Sequence, residues 1–308
     1  MTTAPLWNDL ARGPADGLSA WVRAEDGCRL RVAAFGRDQR KGTVFLFPGR
    51  TEYVEKYGLT ATDLAARGYG MVTVDWRGQG LAARALADPL PGHVADFAEF
   101  QLDVAALIGF ARSHGLAEPF YLMAHSMGGC IGLRTLMGAH PFRAAAFSAP
   151  MWGIQMPAWQ RPLALPGARL ACLLGQTFRY APGTGPETYV LDGAFEDNTL
   201  TTDRAMWDYM AEHLRARPDL ALGGPTMGWL KAALAECAAL ARMQAPGLLC
   251  FTGLGSNERI VDPAPIHARM AAWPKGRLQV FAGAEHEILM DRDRGLFLDQ
   301  ALAMFETA

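Results

Sequence analysis

"YLMAHSMGGCIG", residues 121 to 132, carries a serine between small residues where one apolar run gives way to another. A chain that turns sharply from strand to helix at a serine strains its backbone there. The strain is tolerable only if the positions two before and two after carry little side chain. Here they are Ala124 and Gly128, with Gly129 adding room. The usual pattern has glycine at both places, so Ala124 departs from it by one methyl. Ser126 is thus either a nucleophile on such a turn or an ordinary serine at a helix N-terminus. The rest of the chain has to decide between them.

Outward from this stretch, short apolar runs alternate with segments of helical period. Residues 29 to 35, 43 to 47, 70 to 75, 119 to 124, 143 to 149, 247 to 253 and 277 to 283 have the pattern of strands. Residues 52 to 67, 94 to 111, 127 to 138, 263 to 272 and 291 to 306 have the pattern of helices, the first stopped by Gly68. Strands without polar alternation are buried on both faces, which predicts a mostly parallel sheet flanked by helices. The alternation breaks after residue 150. The segment 151–230, rich in Met, Trp, Pro and Leu, is expected to be a helical cap inserted between core pieces 1–150 and 231–308.

Composition narrows the function. Among 308 residues half are hydrophobic and the net charge is −2, with no basic stripe to neutralise a phosphate backbone, so nucleic acid is not an expected partner. The five cysteines are far apart and lack paired spacing, which suits reduced core residues rather than disulfides or a zinc site. No HExxH or similar metal spacing occurs, and neither metal nor cofactor is expected. The N-terminus has no signal-peptide pattern and no run of about 18 apolar residues appears, so the expected location is cytoplasmic.

A serine hydroxyl needs a base, and the base needs an acid that fixes its tautomer. If Ser126 is the nucleophile, the chain order is serine, acid, histidine. His286 follows the last expected strand in "VFAGAEHEILMD" and is the candidate base. Two carboxylates compete for the acid in "GSNERIVDP", Glu258 and Asp262. Asp262 precedes Pro263 at a helix start, where N-capping explains it fully, so Glu258 is the preferred acid.

With these in place the chain resembles the monoacylglycerol lipase and bacterial lysophospholipase group of α/β-hydrolases. The carrying stretches are "FPGRTEYVEKY" (47 to 57), "VDWRGQG" (74 to 80), "AHSMGG" (124 to 129), "SAPMWGI" (148 to 154), "GSNERIVD" (255 to 262) and "AEHEIL" (284 to 289). "LALGGPTMGWL" (220 to 230) looks especially like the lysophospholipase branch. The resemblance implies Ser126 as nucleophile, His286 as base and Glu258 in the acid column, which usually holds aspartate. It also implies an oxyanion hole from the backbone N–H groups of Arg50 and Met127, on a loop that begins Pro48-Gly49 where the family usually has His-Gly. Glu52 and Tyr57 match family columns too, though one face of the following helix would explain them equally. "DWRGQGLAA" also fits the dinucleotide pattern GxGxxA. That motif must open a helix directly, and the prolines of "ADPLPGH" break any such helix.

The chemistry implied is acyl transfer through a covalent intermediate on Ser126, with a small acyl ester as substrate. Met151, Trp152, Ile154, Met156 and Trp159 are expected either to wall an acyl site or simply to pack the cap on the sheet. The cap is also the expected point of any transient contact with a membrane surface, at its inner face. The scaffold leaves two alternatives: a peptidase or carbon–carbon hydrolase, and a non-catalytic ligand-binding protein.

Overall fold

The computed structural model describes residues 2–308. Among them nine strands form one sheet. They are β1 (Thr2–Thr3), β2 (Leu18–Arg23), β3 (Arg29–Phe35), β4 (Thr43–Phe47), β5 (Gly70–Asp75), β6 (Phe120–His125), β7 (Phe142–Ser148), β8 (Leu249–Gly255) and β9 (Gly276–Phe281). Their order is β1-β2-β3-β5-β4-β6-β7-β8-β9. Pairing is antiparallel from β1 through β3 to β5 and parallel from β5 to β9. Apolar side chains at most positions of the central strands fill both faces. In β4, Phe45 and Phe47 enter one core while Val44 and Leu46 enter the other.

The helices are α1 (Asn8–Ala11), α2 (Gly58–Ala65), α3 (Glu99–Ser113), α4 (Met127–Leu136), α5 (Arg161–Leu173), α6 (Tyr189–Asp192), α7 (Arg204–Ala216), α8 (Met227–Ala241), α9 (Pro263–Ala271) and α10 (Arg294–Phe305). Val104 of α3, Ile131 of α4, Ala233 of α8 and Ile266 of α9 share the Phe45 core. Leu64 of α2, Met210 of α7 and Leu298 of α10 share the other. No helix of the described residues is long and apolar enough to cross a membrane.

Several elements differ from the expectation, β1, α1, β2 and the starts of α2, α3 and α10 among them. The strand β2 pairs along the sheet's antiparallel end, and Ser19 and Arg23 interrupt its apolar side chains, leaving no run to read. The helix α3 starts at Glu99 rather than residue 94. Asp96 accepts from the Ala98 N–H at 2.9 Å while Glu99 reaches back to the Asp96 N–H at 3.1 Å, a reciprocal cap that sets the start there. Residues 76–98 form no helix, so "WRGQG" does not open one as a dinucleotide site would require.

The chain crosses from β4 to β5 on one side and returns to β6 on the other side of β4. This reversal leaves a crevice beyond the C-terminal ends of β4 and β6, the place where open α/β sheets bind ligands. Pro48 to Arg50 leave β4 there and Ser126 leaves β6.

Candidate active site

Ser126 sits at φ 50°, ψ −119°, between β6 and α4. Such a conformation is strained for a non-glycine residue and persists only where packing dictates it. The small neighbours are what the packing demands. A Cβ on Gly128 would lie 2.1 Å from the Phe47 carbonyl oxygen, and one on Gly129 would lie 2.5 Å from the Pro150 Cβ. Ala124 replaces the usual glycine at no evident cost, because Gly132 stands opposite its methyl: a Cβ at 132 would come within 3.3 Å of it. Thr51 and Ala149, after β4 and β7, also have positive φ, so backbone strain gathers around the crevice.

His286 lies in the loop after β9 and donates its Nδ1–H to Glu258 Oε2, 2.7 Å away. The other oxygen of Glu258 accepts from the N–H groups of Ile260 at 2.7 Å and Val261 at 3.0 Å, which fixes the carboxylate's orientation. Burial works against the charge on both partners, but their mutual attraction wins. The imidazole is held above the usual histidine range, with Glu258 and then Glu287 and Glu52 offsetting its burial. Glu258 is held below the usual glutamate range by His286 and the two amides. Asp262 faces elsewhere. It caps α9 through the Ala264 N–H at 3.1 Å and pairs with Arg161 at 2.9 Å. No hydrogen bond joins Ser126 to His286 among the described residues, although both line one cavity. Unliganded sites often hold this contact long and tighten it around substrate.

The loop after β4 is clamped from beneath. Glu52, buried, accepts from the Gly49 N–H, the Tyr57 hydroxyl at 2.6 Å and the Lys56 ammonium at 2.6 Å. Trp76 Nε1 donates to the Pro48 carbonyl at 2.9 Å and Gln79 to the Gly49 carbonyl at 2.8 Å, so "DWRGQG" props the same loop. The amides of Arg50 and Met127 donate to no protein group among the described residues. Glu52, His125 and Glu287 stand close enough to share a metal ion. The Lys56 ammonium, which bonds both Glu52 and Glu287, takes the place such a cation would fill.

A cavity of about 450 Å³ opens over these groups. Its floor is Arg50, Glu52, Lys56, His125, Ser126, His286 and Glu287; its roof is drawn from residues 183–185, 187–190 and 199–200, Met210, Leu214 and residues 222–224. None of Met151, Trp152, Ile154, Met156 and Trp159 lines it, which corrects the expectation of an acyl wall there. The loop after β7 runs toward α9, with the Asp262 N–H bonded to the Gly153 carbonyl at 3.0 Å. Trp152 is consequently buried beside Phe147 and Trp273, and its Nε1 donates to the Gly129 carbonyl at 3.1 Å. Trp159 is 70% exposed to solvent.

The family model described as serine aminopeptidase S33 (Hydrolase_4) matches residues 38–293. The chain belongs to this family of α/β-hydrolases. Within it the hydrolase falls in the monoacylglycerol lipase and lysophospholipase group and is a serine carboxylester hydrolase. It is 33% identical over 283 residues to lysophospholipase L2 of Escherichia coli K12, covering 87% of this chain and 81% of the relative. It is 29% identical over 255 residues to the probable lysophospholipase L2 of Haemophilus influenzae, covering 81% and 78%. A monoglyceride lipase from Saccharomyces cerevisiae shares the fold at TM-score 0.69 and 20% identity, over 92% of this chain and 94% of that one. A carboxyl esterase from Bacillus coagulans does so at TM-score 0.71 and 14% identity, over 94% and 97%.

Sequence reasoning missed the partnership of Lys56 with Glu287 and the roof residues of this hydrolase. One signal was available for Lys56. Glu52, Glu55 and Lys56 crowd a single turn among apolar neighbours, and charges so placed have to meet partners inside. The roof gave no such signal, because most of it comes from loops without period and the rest from a few residues of α6 and α7.

Proposed function

We propose that this hydrolase cleaves monoacylglycerol or lysophospholipid esters through an acyl-enzyme on Ser126. The observation that carries the proposal is the meeting of a strained Ser126 and the His286–Glu258 pair at one cavity. Ser126 Oγ attacks the ester carbonyl as His286 takes its proton at Nε2. Glu258, bonded at Nδ1, fixes the tautomer and stabilises the imidazolium. The N–H groups of Arg50 and Met127 receive the developing oxyanion; both are free of protein acceptors among the described residues. The alcohol leaves with the proton, and water activated by the same imidazole releases the acid.

The substrate class rests on the lysophospholipase relatives and on the apolar side chains of Val190, Leu200, Leu214 and Leu222 on the cavity wall, which suit an acyl chain. The roof's origin supports treating residues 151–230 as a cap between the core pieces 1–150 and 231–308. Trp159, Leu163, Leu170 and Leu173 lie exposed on and beside α5. They suit transient contact with a membrane surface, at its inner face for a cytoplasmic protein. A fluorophosphonate probe should label Ser126 in the wild type and leave a folded Ser126→Ala variant unlabelled. Near-wild-type ester turnover by Ser126→Ala, free of host esterases, would overturn the proposal.

A further inference from the structure

Two cations line the cavity, and they are treated differently. Lys56 is bonded to Glu52 and Glu287. The Arg50 guanidinium, with five N–H donors, makes one hydrogen bond among the described residues: Nη1 to the Gly223 carbonyl at 2.8 Å. It lies 5.8 Å from the centre of the Trp229 ring and forms no ion pair among the described residues. Arginines more deeply buried than Arg50 are provided for. Arg31 meets Glu55 and Asp75. Arg77 meets Asp26, Glu99 and Asp103. Arg84 and Arg269 lack carboxylates but bond to backbone carbonyls, and neither lines the cavity. Burial with no carboxylate to offset it pulls the Arg50 side chain down to about 10, so it stays charged at neutral pH. Arg50 is half-buried at the cavity, and a partly desolvated cation with unused donors there is suited to an anion that meets them.

We infer that the Arg50 side chain is an anion subsite that takes the phosphate of a lysophospholipid head group and sets preference over neutral monoacylglycerols. The inference rests on the Ser126 ester-hydrolase reading. A guanidinium is matched to phosphate in charge and in its planar pair of donors. Reach fits as well. With the Arg50 amide at the ester oxyanion, as many bonds separate that amide from the guanidinium carbon as separate the carbonyl carbon from phosphorus across a glycerol. Glu187, also on the cavity wall, is exposed and unpaired with Arg50. Glu52 and Glu287 are held by Lys56 and leave Arg50 as the cation available to a ligand.

The test compares kcat/KM for lysophosphatidylglycerol and a monoacylglycerol of the same acyl chain, both at monomeric concentrations. In Arg50→Met the ratio of the two should fall roughly tenfold to a hundredfold, the worth of a charged hydrogen bond. Arg50→Lys should restore part of it. In the wild type, glycerol 3-phosphate should compete with the monoacylglycerol far better than glycerol does. That arm decides if Arg50→Met does not fold. An unchanged ratio in folded Arg50→Met, or equal competition by glycerol and its phosphate, overturns the inference alone. No turnover of any ester, short p-nitrophenyl esters included, overturns the Ser126 reading and this inference with it.

Discussion

Below the cavity, Ser126, His286 and the Pro48–Arg50 loop stand on strand ends; close packing fixes the serine, and buried carboxylates fix the imidazole and the loop. Above it, residues 183–188 and 222–224 are loops, and Val190 of α6 and Leu222 put apolar side chains on the cavity from a segment with exposed glycines and leucines. The floor spends strain and burial on orientation. The roof supplies contact area and little else. This contrast implies that floor substitutions act on turnover, where orientation matters, and roof substitutions on which acyl chain is accepted.

The largest effect should come from Glu258→Gln, which leaves a neutral group beside the imidazole and favours the wrong tautomer. Turnover of one activated ester should drop on the order of 10⁴-fold, with melting temperature nearly kept. The same variant moves the pH profile. His286 must be neutral to accept the serine proton, and its pKa is raised above the usual 6.5, so activity should fall with decreasing pH from above that value. Removing the Glu258 charge should shift this acid limb to lower pH; a limb that stays put would break the assignment of the acid.

Glu52→Gln comes next. It replaces the carboxylate that accepts from Gly49 and Lys56, loosening the oxyanion loop. A loss of roughly 10²-fold in kcat is expected, near that of deleting one oxyanion donor, with KM little changed. If kcat held and only stability fell, the clamp would belong to the fold and not to the floor. On the roof, Leu222→Ala should shift the chain-length preference by about 1–3 kcal/mol at most and move turnover of a short ester far less. An unchanged chain-length profile would break the comparison from the other side. The smallest effect is expected from Asp262→Asn. Asparagine caps α9 as well as aspartate, and the half-exposed Arg161 pair is worth ~1 kcal/mol or less. A crippled Asp262→Asn would mean that the carboxylate facing Arg161 serves His286 after all.

Much of the floor was legible before any coordinates. Val44 to Phe47 are apolar at every position because both faces of β4 are buried. Gly128 and Gly129 are required by backbone and Pro150 within 3 Å, a local demand that leaves a local mark. Asp262 before Pro263 carries its own explanation as a cap, which separated it from Glu258. The cluster at 151 to 159 was misplaced for the opposite reason. Its hydrophobicity says that it is to be buried, not against what, and the chain's path toward α9 put Trp152 beside Trp273 instead of on the cavity wall.

By itself the sequence determined the alternation of strands and helices, the turn at Ser126 and the identity of His286 and Glu258 as candidates. Each follows from periods, caps and steric demands that act over a few neighbouring residues. Tertiary structure alone decided that Lys56 meets Glu287 across the fold, that the roof comes from residues 183–190 and 222–224, and that Arg50 lines the cavity without a carboxylate. These depend on which distant groups packing brings together, and whether a buried charge is satisfied is a property of its surroundings rather than of its place in the chain.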